Sequence, residues 1–285
     1  AFAQVGTNCG LVGQNACVEV DGAAYWMSEN GFFRYAGKLE SLPCLVEDFV
    51  YNDINLESGN QMVSAGLNNL FGEVMWFYPT STSSVVNRMV SYNYFDSSPR
   101  RPVWTNGTLS RTMWEDSAVF GSPHATEYDA DTDTSFDVVG NTEGKTTYYQ
   151  HETGTDQNKN GVITAVTANI SSGDFDISQR TTALGQTTGA ADLRGDGEFL
   201  MKIRRFIPDF ISQTGSTRIT LELRNFPNDS QSSSALGPFD ITSSTQKVDT
   251  RARARAVALK IENTAASQSW KLGTFRLDIQ PDGRR

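Results

Sequence analysis

The chain has 285 residues, 38% of them hydrophobic and 20% charged, with 24 glycines. This composition suits one large or two smaller soluble β domains rather than a disordered or membrane-embedded chain. The net charge of −9 repels nucleic-acid phosphates and argues against sequence-specific DNA binding, although an acidic wall also lets DNA slide past without sticking. No run approaches the roughly 20 apolar residues needed to cross a bilayer, so no membrane insertion is expected. The start, AFAQVGTN, has neither a basic n-region nor an initiator Met and is read as no signal peptide.

Cys9, Cys17 and Cys44 are an odd number clustered early without a CxxC pair, which fits buried free thiols better than a disulfide scaffold or a zinc site. The aromatic runs at 23–28 and 32–35 flank Glu29-Asn30-Gly31, a strong hairpin signal. In LPCLVEDFVYND (42–53), Leu45, Val46, Phe49 and Val50 sit at helical spacing, while the valine content also suits a strand. QMVSAG (61–66) reads as a strand.

Residues 72–116 carry three runs rich in Val, Tyr, Phe, Trp and Met: GEVMWFYPT, NRMVSYNYF and VWTNGTLSRTMWED. Ser, Thr, Pro, Asn and Gly separate them, giving a strand meander that ends in a Trp-Glu-Asp corner. One blade of a β-propeller has this form. A looser echo follows at Val119-Phe120, 123–126 and 145–153.

Two acidic segments have some of the spacing of calcium loops: Asp129, Asp131 and Asp133, and Asp156, Asn158, Asn160 with Gly161. The second lacks a closing Glu, since its twelfth position is Thr167. Neither is flanked by helices, and both are read as solvated loops.

After about residue 165 the strands alternate cleanly. Phe199, Met201 and Ile203 form one apolar face; Ile219, Leu221 and Leu223 another; Phe275, Leu277 and Ile279 a third. Period two with polar residues between means antiparallel sheet with one wet face. Segments 173–177, 238–242 and 246–262 add strands, and 181–197 and 228–237 read as mobile links. The expected architecture is all-β: β-propeller-type blades over 1–165, followed by an antiparallel β-sandwich, jelly-roll-like, over 166–285.

Within 251–262, read as one long strand, Arg251, Arg253 and Arg255 share a face that turns apolar at Val257, Leu259 and Ile261. Three guanidinium groups about 7 Å apart need acidic partners or solvent. Phosphate binding is one use of such a face. Salt links within the protein or to a neighbouring subunit fit the abundance of carboxylates better, which makes these arginines the subunit-contact candidates.

No HExxH, GxSxG, GxxxxGK or GxGxxG motif occurs, and the two histidines, His124 and His151, lack a metal-ligand spacing. Asp174 and Asp176 share a strand face of the kind a glycosidase could use. Among 33 acidic residues, however, such pairs arise easily. No catalytic residue, metal or cofactor is assigned. Against this stands a secreted propeller–sandwich carbohydrate-binding protein or glycoside hydrolase, which would use exposed aromatics such as Trp26, Trp76 or Trp104.

Several segments, in order, carry a resemblance: DFVYNDIN (48–55), GLNNLFGEVMWFYPT (66–80), VSYNYF (90–95), GTLSRTMWED (107–116), YYQHETGTD (148–156), SSGDFDI (171–177), RRFIPDF (204–210), RARARAVALKIE (251–262) and WKLGTFRLDIQPDGRR (270–285). They resemble the tail nozzle (phage stabilisation) structural proteins of short-tailed bacteriophages. The resemblance implies a propeller-bearing virion tail subunit that forms a ring, a hexamer, below the portal and its adaptor. That ring conducts and gates DNA during genome ejection, and the resemblance carries over no catalytic residue.

Overall fold

A computed structural model describes residues 4–57, 60–117, 120–129, 145–159, 161–177, 199–226, 229 and 234–283. The fold is all-β: antiparallel sheets throughout, with one five-residue α-helix and one short 3-10 turn among the described residues. The chain divides into two compact units, Ala1–Thr153 and Gly154–Arg285.

In the first unit β1 (Cys17–Val20), β2 (Ala23–Ser28), β3 (Gly31–Tyr35) and β4 (Leu39–Leu42) form a four-stranded meander. The β2–β3 hairpin closes at Ser28 and Gly31, so the loop is Glu29-Asn30 and Gly31 already belongs to the strand. Helix α1 (Glu47–Tyr51) follows. The helical reading of 42–53 therefore holds only for its second half, with Val50 buried and Leu45 75% exposed. Its Tyr51 hydroxyl donates to Ser28 O (2.7 Å) and accepts from Gly31 N (3.1 Å), which fastens the helix to the hairpin turn.

A second meander contains β5 (Ser64–Asn68), β6 (Glu73–Tyr78), β7 (Arg88–Asn93) and β8 (Trp104–Gly107). Strand β6 does not alternate because both its faces are covered. Val74, Trp76 and Tyr78 join Tyr25, Met27 and Phe32 of the first meander in one core. Met75 and Phe77 pack on the other side with Val86, Leu109 and Trp114.

The third run of 72–116 does not complete a single sheet, contrary to the sequence reading. Its first half is β8, but its second half is β9 (Met113–Glu115), which pairs with β10 (His124–Asp129), itself paired with β11 (Lys145–Gln150). The Trp-Glu-Asp corner therefore opens the next sheet instead of closing the blade. Trp114 explains why: its indole covers Gly66, where an added Cβ would stand 2.8 Å from the ring, and its Nε1 donates to Leu67 O at 2.9 Å.

In the second unit β12 (Asp156–Lys159) and β13 (Val162–Ala165) form a hairpin. One sheet has the order β14 (Asn169–Ser171), β20 (Ala256–Glu262), β17 (Thr217–Arg224), β18 (Ala235–Ile241). Another has β19 (Val248–Ala254), β15 (Met201–Ile207), β22 (Arg276–Pro281), and β16 (Phe210–Thr214) pairs with β21 (Ser269–Leu272). Ile219, Leu221, Val257, Leu259 and Ile261 of the first sheet share one core with Met201, Ile203, Phe206, Ala252 and Ala254 of the second. This is a β-sandwich. Residues 173–177 contribute a single bridge, Phe175 to Val257, where a strand was expected. The links at 181–197 lie outside the described residues.

Strand β15 bulges between Ile203 and Arg205, which moves its buried side from odd to even positions and brings Phe206 inward. Strand β18, on a sheet edge, bulges at Gly237-Pro238, the edge being where proline is tolerated. Gly237 has φ 117, and a Cβ there would lie 2.9 Å from Ile219 O. Gly237→Ala is expected to cost about 2 kcal/mol, measurable as a lower denaturation midpoint of the second unit. An unchanged midpoint would show that the bulge relaxes freely.

Candidate functional site

Residues 251–262 are not one strand. The chain bends at Arg255, leaves one sheet of the sandwich as β19 and enters the other as β20. The buried parity changes with the bend: Thr250, Ala252 and Ala254 before it, Val257, Leu259 and Ile261 after it. The arginines and the odd-numbered aliphatics therefore do not lie on one continuous face. Arg251 and Arg253 point to solvent from β19, while Arg255 sits in the bend with its N–H bonded to Arg224 O at 3.0 Å.

This outer face of the β19–β15–β22 sheet is laced with charge. Arg253 pairs with the Asp282 carboxylate, and Arg205 reaches Asp249 (2.9 Å) and Asp278 (3.5 Å). The hydrogen bond from Arg205 holds the Asp249 carboxyl below its ordinary range. Such solvent-exposed pairs contribute little to stability. Their geometry presents a patterned, alternating-sign surface. Arg251 has no ion-pair partner among the described residues.

Trp76 is completely buried. Trp104 packs on Phe32 and Tyr92 with its Nε1 donating to Pro43 O (2.8 Å), and Trp26 stacks on Phe33 with its Nε1 donating to Cys9 O (2.8 Å). The indole N–H groups that would face a sugar are thus engaged. Asp174 is 2.9 Å from Arg224, in an irregular segment and not on a strand. Asp156 accepts from Ser267 N with both oxygens at 2.9 Å, and Asn158 accepts from Gly161 N at 2.9 Å, so this pair belongs to a hairpin. Asp131 and Asp133 lie outside the described residues. All three cysteines are free, but none is fully buried as expected: Cys9 and Cys44 are half-buried and Cys17 is exposed. Burial pushes the Cys44 thiol up to about 12.

The most enclosed charged cluster is one the sequence did not indicate. Arg111, 4% exposed, lies just before β9. Its Nε donates to His151 Nε2 (2.9 Å), and its Nη1 donates to Ser110 O (2.7 Å) and reaches Glu127 (3.3 Å). The guanidinium also lies 4.1 Å from the Tyr149 ring centroid, and His151 packs on Trp114 at 4.6 Å. His151 must be neutral with its proton on Nδ1 to accept this bond. Burial, then the Arg111 charge, then His124 lower its pKa to about 4.

A folded-state pKa of about 4 lies below the unfolded value, so the unfolded chain binds the proton first as pH falls. Stability of the first unit is therefore expected to be full above pH ~6.5 and to fall by on the order of 2 kcal/mol as pH drops to about 4. Denaturant titrations at a series of pH values, with His151→Gln flattening that window, check this. His124, on β10, has its Nδ1 hydrogen-bonded to the Tyr148 hydroxyl.

Among the described residues no group of three or more His, Cys, Asp and Glu side chains is placed to hold a metal. Compared with known proteins, the chain matches no family model and no curated sequence.

Proposed function

We propose that this chain is a structural subunit of the virion tail of a short-tailed phage. It assembles with copies of itself into a ring, a hexamer, that conducts and gates DNA during genome ejection, next to portal-adaptor and other tail proteins. The supporting observation is where the nozzle-like words fall. GLNNLFGEVMWFYPT supplies β6, buried on both faces between neighbouring sheets. GTLSRTMWED and YYQHETGTD supply Arg111 and His151, which meet in the buried cluster. Successive antiparallel meanders packed face to face are the packing that propeller blades use.

The charge agrees with a conduit: a net −9 chain repels phosphates and leaves double-stranded DNA mobile without reading its sequence. Arg251, Arg253 and Arg255 are the proposed subunit contact, with the alternating charges around them as the pattern that fixes register.

Light scattering with negative-stain imaging of the purified chain tests the reading. Rings with an open axial hole are expected. A chain that stays monomeric with its portal-adaptor partner present, and binds a glycan array, overturns the proposal in favour of a carbohydrate-binding protein. The triple change of Arg251, Arg253 and Arg255 to Glu is expected to abolish rings while leaving the sandwich folded; normal rings from that variant refute the contact.

A further inference from the structure

The β5–β6 hairpin sets Asn68 directly opposite Glu73, so both side chains leave the sheet on the same face. The Asn68 Nδ2 donates to Glu152 Oε1 at 3.2 Å, which brings a second carboxylate to the same spot from the residue after His151. Asn68 is only 2% exposed, and its Oδ1 is enclosed with no hydrogen-bond partner. The orphaned oxygen therefore sits on the same amide that already touches Glu152 and that lies opposite Glu73. A buried carbonyl without a donor is an unfilled demand.

The surroundings do not meet that demand. Glu73 is half-buried and takes a hydrogen bond from Ser91. No Lys or Arg pairs with Glu73 or Glu152 among the described residues. Among the described residues, two carboxylates and an orphaned amide oxygen therefore lie together with Asn68 Nδ2 and Ser91 as their donors. Oxygen donors of this kind suit a hard cation; the thiolate and imidazole ligands that favour zinc or copper are absent from the group. Glu152 is exposed, which opens the spot to solvent on one side.

We propose that Glu73, Glu152 and the amide oxygen of Asn68 form a binding site for one calcium ion, with water completing its coordination. The ion satisfies Asn68 Oδ1, neutralises the carboxylate pair and ties the end of β11 to the β5–β6 hairpin. With only two carboxylates the affinity belongs in the weak class, with a Kd of about 0.1–1 mM. The site stands independently of the tail assignment.

The test uses the full chain, stripped with EDTA and titrated with calcium chloride to about 10 mM, well above that Kd. The expected result is a rise of about 3–5 °C in the Tm followed by tryptophan fluorescence. Glu152→Gln, a change at an exposed position, should weaken calcium binding by calorimetry about tenfold and cut the rise to about half or less. Glu73→Gln should do the same. No response of the unsubstituted chain overturns the site. An equal response in both variants also overturns it, since calcium then binds elsewhere. An equal rise with magnesium chloride overturns the choice of ion. A calcium-insensitive chain that Glu73→Gln stabilises overturns it too, because a shared proton then relieves the pair.

Discussion

Replacing Arg111 by methionine is expected to destabilise the first unit by about 3 kcal/mol. Methionine keeps much of the aliphatic volume but removes the cation opposite Glu127, whose side chain is 15% exposed, and the donor to His151 Nε2. A pair this enclosed contributes little over an apolar alternative when both partners are replaced together, yet removing one partner leaves the other in a low-dielectric setting. The double change of Arg111 to Met and Glu127 to Leu should therefore recover a large part of the loss. Four of the five tryptophans, Trp26, Trp76, Trp104 and Trp114, lie in the first unit, so fluorescence-detected unfolding reports on it directly. A single-variant loss under about 1 kcal/mol would place Arg111 among the weak, solvent-screened ion pairs.

Trp76→Ala is expected to lower the stability of the same unit by about 4 kcal/mol. The side chain is completely buried, its ring 4.9 Å from Phe32 and 6.1 Å from Trp104, and its Nε1 donates to Ala16 O at 3.0 Å. The change removes a large apolar volume from the centre of a strand enclosed on both sides, where the backbone has little room to collapse, and it leaves the Ala16 carbonyl with one donor, Met27 N, in place of two. Trp76→Phe refills much of the cavity and should cost about 2 kcal/mol. Urea titrations of the three chains give the order. If alanine and phenylalanine are equally mild, then β6 is not the element on which the two neighbouring layers are built.

The alternating runs of β15, β17 and β22 were legible in the sequence because a strand with one wet face writes its own two-residue period. The β2–β3 hairpin was legible for a similar reason: its turn chemistry is confined to a few adjacent residues. Where the reading went astray, the period was interrupted. Counting odd positions from Arg251 to Ile261 assumes one unbroken strand, and the bend at Arg255 resets the count by passing the chain from one sheet to the other. The run 103–116 looked like one strand and corner, but its two halves pair with different sheets.

Residues by themselves determined the class of the fold: aromatic and β-branched runs broken by Gly, Pro and Asn, with almost no helical stripe, can only pair as sheet. They also determined the acidic surface. Only the tertiary structure decided that β6 is buried on both faces, that Arg111 meets His151 across 40 residues, and that Asn68, Glu73 and Glu152 converge. The reason is physical. Backbone conformation depends on neighbours in the chain and leaves a local pattern. Desolvation and charge pairing depend on which strands lie side by side, and no spacing in the sequence records that.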